Sequence, residues 1–145
     1  MRIENHILHV ATFAGINLHD ITADVHRLIG ESRIRNGFVI VTSRHSTTAI
    51  TLNENEGRLL DDVRDFFQHL VPIGGSYRHN DLHLRDAPEG EPRNAHSHIV
   101  AMLLGGSETI PVINGELVLG RWQSVLLAEL DGPRERTVTL QVVGE

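Results

Sequence analysis

Trp122 to Leu130, read Trp-Gln-Ser-Val-Leu-Leu-Ala-Glu-Leu, and Thr137 to Val143, read Thr-Val-Thr-Leu-Gln-Val-Val, flank the turn sequence Asp131-Gly-Pro133. Short runs rich in β-branched and aliphatic residues, bounded by turn formers, read as strands. Just upstream, Thr109 to Ile113 and Leu117 to Leu119 flank Asn114-Gly115, a dipeptide suited to a hairpin turn. The C-terminal third is therefore expected to be antiparallel β.

Working back from it, Ile3 to Val10 alternates as an opening strand. Ile21, Val25, Leu28 and Ile29 then fall at helical spacing, with Asp20 as the expected N-cap and Gly37 as the stop. Phe38 to Thr42 is a β-branched run suited to a buried strand, and Ala49 to Leu52 reads as another. Leu59, Leu60, Val63, Phe66, Phe67 and Leu70 make a helical stripe ended before Pro72. Gly74 to Arg93 has no sustained period and reads as a long loop, of a length that is commonly functional. Asn94 opens a short helix through Ile99, Met102 and Leu103 to Gly105-Gly106, with a strand as the competing reading. Together these predict one α+β domain over residues 1–145: antiparallel-rich, sandwich-like β-sheet layers with two or three helices packed on one face.

Composition narrows the chemistry. With 40% hydrophobic and 22% charged residues the chain is apolar enough to fold, and 145 residues suffice for one core. A net charge of -6, with basic residues scattered, gives no footprint for nucleic acid or an anionic membrane, so neither is expected as a partner. The absence of cysteine excludes disulfides and thiolate chemistry, leaving N and O ligands for any metal. All thirteen basic residues are arginine, which excludes Schiff-base lysines and leaves Arg, His or backbone N–H groups to hold an anion. Without a signal-type apolar run after Met1 or a stretch long enough to span a bilayer, the expected compartment is the cytoplasm.

Ten histidines is about three times ordinary usage for this length. His6, His9, His19, His26 and His69 lie within or beside regular elements and read as surface or interface side chains. His45 sits in Arg44-His-Ser-Thr-Thr48, a polar corner after a buried strand, where the hydroxyls could also serve only the turn backbone. His79 and His83 lie in the long loop, and His96 and His98 in Asn94-Ala-His-Ser-His98. Three imidazoles with an open position would suit a catalytic zinc. On a helix, side chains two apart diverge by roughly 160°, so the helical reading admits His98 to a common site and leaves His96 and His83 in reserve. Glu54 in Leu52-Asn-Glu-Asn55 and the Asp61-Asp62 pair could move protons, or the latter could form a solvated helical face. Arg121, Arg134 and Arg136 could grip a phosphate or pair with a carboxylate. Trp122 is either packed in a core or interface, or a stacking surface for a ligand ring.

His45-Ser-Thr-Thr-Ala49, Leu52-Asn-Glu-Asn55, Tyr77-Arg-His79, Ala95-His-Ser-His98, Leu119-Gly-Arg-Trp-Gln123 and Asp131-Gly-Pro-Arg134 resemble, in order, the motifs of the YjbQ family. Arg121 departs from the Thr of many members, and Asp86 to Pro92 lengthens the interval from His79 to His98. The resemblance implies sheet layers covered by helices, a homotrimer and a histidine-lined site at which His45, His79 and His98 match the motif histidines. Those three are the expected ligands of a divalent metal, zinc foremost and magnesium with a diphosphate substrate. Glu54, Asp62 and Arg134 are the expected catalytic side chains, and a small phosphorylated molecule or anion the expected partner. The resemblance also implies a secondary thiamine-phosphate synthase activity, which joins a pyrimidine diphosphate to a thiazole phosphate and releases pyrophosphate. A non-catalytic ligand- or metal-binding module and a metal-dependent phosphate-ester hydrolase are the competing readings.

Overall fold

The computed structural model describes residues 1–145. Its strands are β1 (Arg2–Ala11), β2 (Gly15–Asp20), β3 (Gly37–Ser43), β4 (Thr48–Asn53), β5 (Ser107–Ile113), β6 (Glu116–Leu117), β7 (Ser124–Gly132) and β8 (Glu135–Gly144). The helices are α1 (Thr22–Ser32), α2 (Gly57–Leu70) and α3 (Ala95–Leu104). The strands form two antiparallel sheets, one in the order β1-β8-β3-β5-β6 and one in the order β2-β7-β4.

Two different burial patterns explain the two C-terminal strands. In β8, Arg136, Val138, Leu140 and Val142 point to the interior while Thr137, Thr139 and Gln141 alternate outward. From Val125 to Leu130, β7 is buried continuously because its sheet is covered on both faces. Val125 and Leu127 face the main core with α1, β3 and β8 residues, whereas Ala128 and Leu130 face a second, smaller cluster. That second cluster is closed by Phe67 of α2 and by Val100 and Ala101 of α3. Two helices therefore cover the outer face of the small sheet, and α1 packs Val25, Leu28 and Ile29 into the core between the sheets.

Several boundaries differ from the sequence reading. Asp20 precedes Ile21 at the cap of α1, yet its Oδ1 still accepts from Thr22 N–H at 2.9 Å. The helix stops at Arg33, which takes a left-handed φ of 59°, and not at Gly37. Gly37 instead opens β3, where an added Cβ would collide with the Val143 carbonyl oxygen. Trp122 precedes β7 and is 63% exposed. The expected loop spans most of 71–94, with single 3-10 turns at Arg78–Asn80 and Leu82–Leu84. No helix is long and apolar enough to cross a membrane.

The outward side of the large sheet has no helix over it. Across β1, β8, β3 and β5, between the strand ends, it presents Ile3, Ile7, Phe38, Ile40, Pro111 and Ile113 among Thr, Asn, His and Gln, while Glu116 of the edge strand β6 pairs opposite Ile113 and Glu135 stands at the end of β8. Ile3, Ile7 and Ile113 are each more than half exposed.

Candidate functional site

At the end of β3 the chain crosses from the large sheet to the small one through Arg44, His45, Ser46 and Thr47. The hydroxyls of this corner hold it together: Ser43 Oγ and Thr48 Oγ1 hydrogen-bond each other, and Ser43 Oγ accepts from His45 N–H at 3.3 Å. Thr47 carbonyl accepts from Leu130 N–H at 3.2 Å, tying the corner to β7. His45 then reaches β8, where Thr137 N–H donates to its Nε2 at 2.8 Å. A neutral imidazole that accepts at Nε2 carries its proton on Nδ1.

The start of α3 is fixed from two sides. Ala95 N–H donates to Asn80 Oδ1 at 3.1 Å, and the buried Ser97 hydroxyl donates to the Leu130 carbonyl at 2.5 Å. With Ser97 turned into the protein, His96 is buried with Nε2 at 3.1 Å from Ser97 Oγ, and His98 lies half-buried on the open side. The His79 ring packs edge-on against His98, centroid to centroid 4.8 Å, and His79 Nε2 is buried without a hydrogen-bond partner. His83 is exposed.

His45 and His98 line a cavity of about 360 Å³ together with Arg44, Asp131, Arg134 and Arg136. No Leu, Ile, Val, Met or aromatic apolar side chain contributes to it. Burial, followed by the nearby Arg136 charge, pushes the His45 imidazole below its ordinary value. Burial, followed by His79, does the same to His98, against an opposing hydrogen bond involving the Ser46 backbone. Both rings are thus held neutral near pH 7, as a proton acceptor or a ligand must be.

The two arginines behind them differ. Arg134 folds back on its own turn, donating from Nε to the Asp131 carbonyl at 2.9 Å and from Nη2 to Asp131 Oδ2 at 2.8 Å. Arg136 is buried and forks onto fully buried Glu129, with Nε to Oε2 and Nη2 to Oε1 both at 2.6 Å. Burial alone would push the Glu129 carboxyl up, but Arg136, the Thr12 hydroxyl and Asp131 N–H outweigh it and hold it below its usual value. Neither Glu129 nor Thr12 was singled out from sequence. The available signal was a lone carboxylate inside the apolar run Val125 to Leu130, a position that is buried only when paired.

Glu54 and Asp62 lie elsewhere. They border a cavity of about 330 Å³ beneath α2, with Leu18, Phe66, Phe67 and Leu104 among its apolar walls. Glu54 follows the far end of β4 from His45, and six extended residues span roughly 17–20 Å. Within one chain neither carboxylate meets the histidines. Glu54 also borders a hollow with Trp122, over which the Arg121 guanidinium stacks at 4.8 Å.

The three expected metal ligands are brought into one neighbourhood, but no group of three or more His, Asp or Glu side chains is placed to hold a metal ion. Nε2 of His45 is engaged with the Thr137 backbone N–H.

A family model described as UPF0047 protein YjbQ-like matches residues 6–145. A UPF0047 protein of Methanothermobacter thermautotrophicus is 46% identical over 145 residues, covering 100% of this chain and 95% of that protein. The UPF0047 protein YugU of Bacillus subtilis is 32% identical over 139 residues, covering 94% of this chain and 97% of that protein. Among solved structures, a YbjQ-like protein of unknown function from Sulfolobus solfataricus superimposes with a TM-score of 0.89 at 36% identity, covering 99% of each chain. A hypothetical protein from Aeropyrum pernix also gives 0.89, at 37% identity over 98% of this chain and 99% of that one.

Proposed function

The chain belongs to the YjbQ-like UPF0047 family, and from that premise and the polar cavity we propose that it binds a small phosphorylated molecule beside His45 and His98. The carrying observation is the cavity's composition: three guanidinium groups and two imidazoles, with its two carboxylates, Glu91 and Asp131, already paired to Arg85 and Arg134, and no aliphatic or aromatic apolar side chain other than Pro92. Such a lining favours a hydrated anion over an apolar ligand. His98, half-buried on the open side, presents its neutral ring to the ligand as a hydrogen-bonding group, whereas His45 is already committed at Nε2. Arg44, which forms no ion pair, supplies uncompensated positive charge.

Thiamine-phosphate synthesis is the particular reaction to assay. In it the thiazole nitrogen attacks the pyrimidine methylene carbon, the carbon–oxygen bond to the diphosphate breaks, and pyrophosphate departs. Arginine N–H groups at the cavity would stabilise the charge on that leaving group. The wild-type protein should bind thiamine phosphate in calorimetry, and His98→Ala, which removes a ring N–H donor from the cavity, should lower turnover by about a hundredfold or more. Equal turnover in His98→Ala, or no saturable binding of any phosphorylated compound, would dismiss this reading.

A metal-assisted version is favoured by one observation, the buried and unpartnered Nε2 of His79 beside His98. These two imidazoles would hold a divalent ion, zinc first, with oxygen atoms of the ligand completing its coordination; magnesium would instead accompany a diphosphate. The ion would serve to neutralise phosphate charge. Zinc titration of chelator-treated protein separates the two versions, since only the metal-assisted one loses a binding heat in His79→Ala.

We also propose a homotrimer built on the uncovered face of the large sheet. In a chain of net charge -6, the centre of this face, where β1, β8 and β3 hold apolar and neutral polar groups, can meet a second copy without juxtaposing like charges.

A further inference from the structure

We propose that Arg136, and not the more exposed Arg134, is the residue that grips the phosphoryl group. This inference rests on the anion-binding reading above and names the side chain that determines its specificity. A guanidinium has five N–H donors. In Arg136, Nε and Nη2 donate to Glu129, and Nη2 also donates to Thr47 Oγ1 at 2.9 Å. Both donors left over are on Nη1. That nitrogen makes no hydrogen bond within the chain and is not sealed away as a buried unpartnered atom, while the residue lines the polar cavity.

The rest of the side chain is immobilised. Its exposure is 5%, that of Glu129 is 0%, and Glu129 is itself held by the Thr12 hydroxyl at 2.7 Å and Asp131 N–H at 2.8 Å. Arg134 contrasts on each count: its side chain is 44% exposed and is turned onto the Asp131 carboxylate and carbonyl. A donor pair fixed in advance loses little conformational freedom when an oxyanion arrives. Glu129 cancels most of the formal charge of Arg136, so this pair contributes directed hydrogen bonds, and Arg44 contributes net charge. That division selects a tetrahedral oxyanion with several acceptor atoms over a simple monovalent ion.

Lysine keeps the charge of arginine but cannot both answer the Glu129 fork and present two further N–H groups. Inorganic pyrophosphate is the probe, titrated calorimetrically into wild type, Arg136→Lys and Arg134→Lys near neutral pH. Arg136→Lys should weaken binding by about tenfold or more, and Arg134→Lys by no more than about twofold. If Arg136→Lys does not fold, the wild-type protein still supplies a reading. Its slowly exchanging Arg136 guanidinium resonances, labelled with nitrogen-15, should shift on adding pyrophosphate while those of Arg134 stay in place. Unchanged affinity in Arg136→Lys, a larger loss in Arg134→Lys, or a stationary Arg136 resonance in bound wild type would overturn the assignment alone. Wild type that binds no phosphorylated compound would remove the anion-binding reading and this inference with it.

Discussion

The contact between Thr137 N–H and His45 joins residues 92 positions apart, and it decides which nitrogen of the ring carries the proton. Four imidazoles, His19, His45, His96 and His98, are pushed below their ordinary value of 6.5, in each case chiefly by burial. The unfolded chain therefore takes up protons at a higher pH than the native one, and the native state loses relative stability as pH falls from about 6.5 toward the folded values. Glu129 adds a separate loss further down, as pH drops through its lowered value and the pair with Arg136 is broken. The thermal midpoint should thus fall between about pH 7 and 5.5, and His96→Gln should flatten that slope. A midpoint that is level or rising over the same interval contradicts the burial account. At this scale the histidines of the site were legible because they stood in polar segments after apolar ones. The Glu129–Arg136 pair was not, since a carboxylate in a strand shows nothing of a partner seven residues away until the turn between them is folded.

Among the elements, α2 carries the clearest apolar stripe, yet only Phe67 on it is buried. Phe66 is 61% exposed, although both side chains belong to the same sequence pattern. Phe67→Ala should cost about 3–5 kcal/mol in urea unfolding of the dissociated chain, and Phe66→Ala less than about 1 kcal/mol. Comparable losses would mean that α2 packs differently from the structure. Periodicity identified α1 because Val25, Leu28 and Ile29 form a buried face that repeats with the helical turn, whereas in α3 the residues that suggested the helix, Ile99, Met102 and Leu103, are exposed and the buried face is Ser97, Val100 and Ala101. It passed over β2, whose Gly15-Ile-Asn-Leu-His-Asp20 lies at a sheet edge and carries too many polar groups to stand out. The strand expected over Ala49 to Leu52 falls one residue short of β4 at each end, but linear order could not reveal that β4 carries Glu54 away from His45.

For the whole molecule, the uncharged centre of the large sheet's outer face, on β1, β8 and β3, predicts an assembly that a single buried charge disrupts. The wild-type protein should have the mass of the proposed trimer in light scattering, and Ile7→Lys should give a smaller species while leaving far-UV circular dichroism unchanged. A monomeric wild type, or a variant that keeps the wild-type mass, would remove this face as the contact. The sequence reading reached antiparallel layers with helices through local patterns, but the pairing between distant strands came only from the structure. That pairing has a consequence for how the chain is made. β8 lies between β1 and β3, and β7 lies between β2 and β4, so each sheet receives an interior strand from the C-terminal end. While the ribosome is still producing the first hundred or so residues, β1, β2 and β4 have no native neighbour to pair with. The histidine corner is synthesised early, and its supporting strands arrive last.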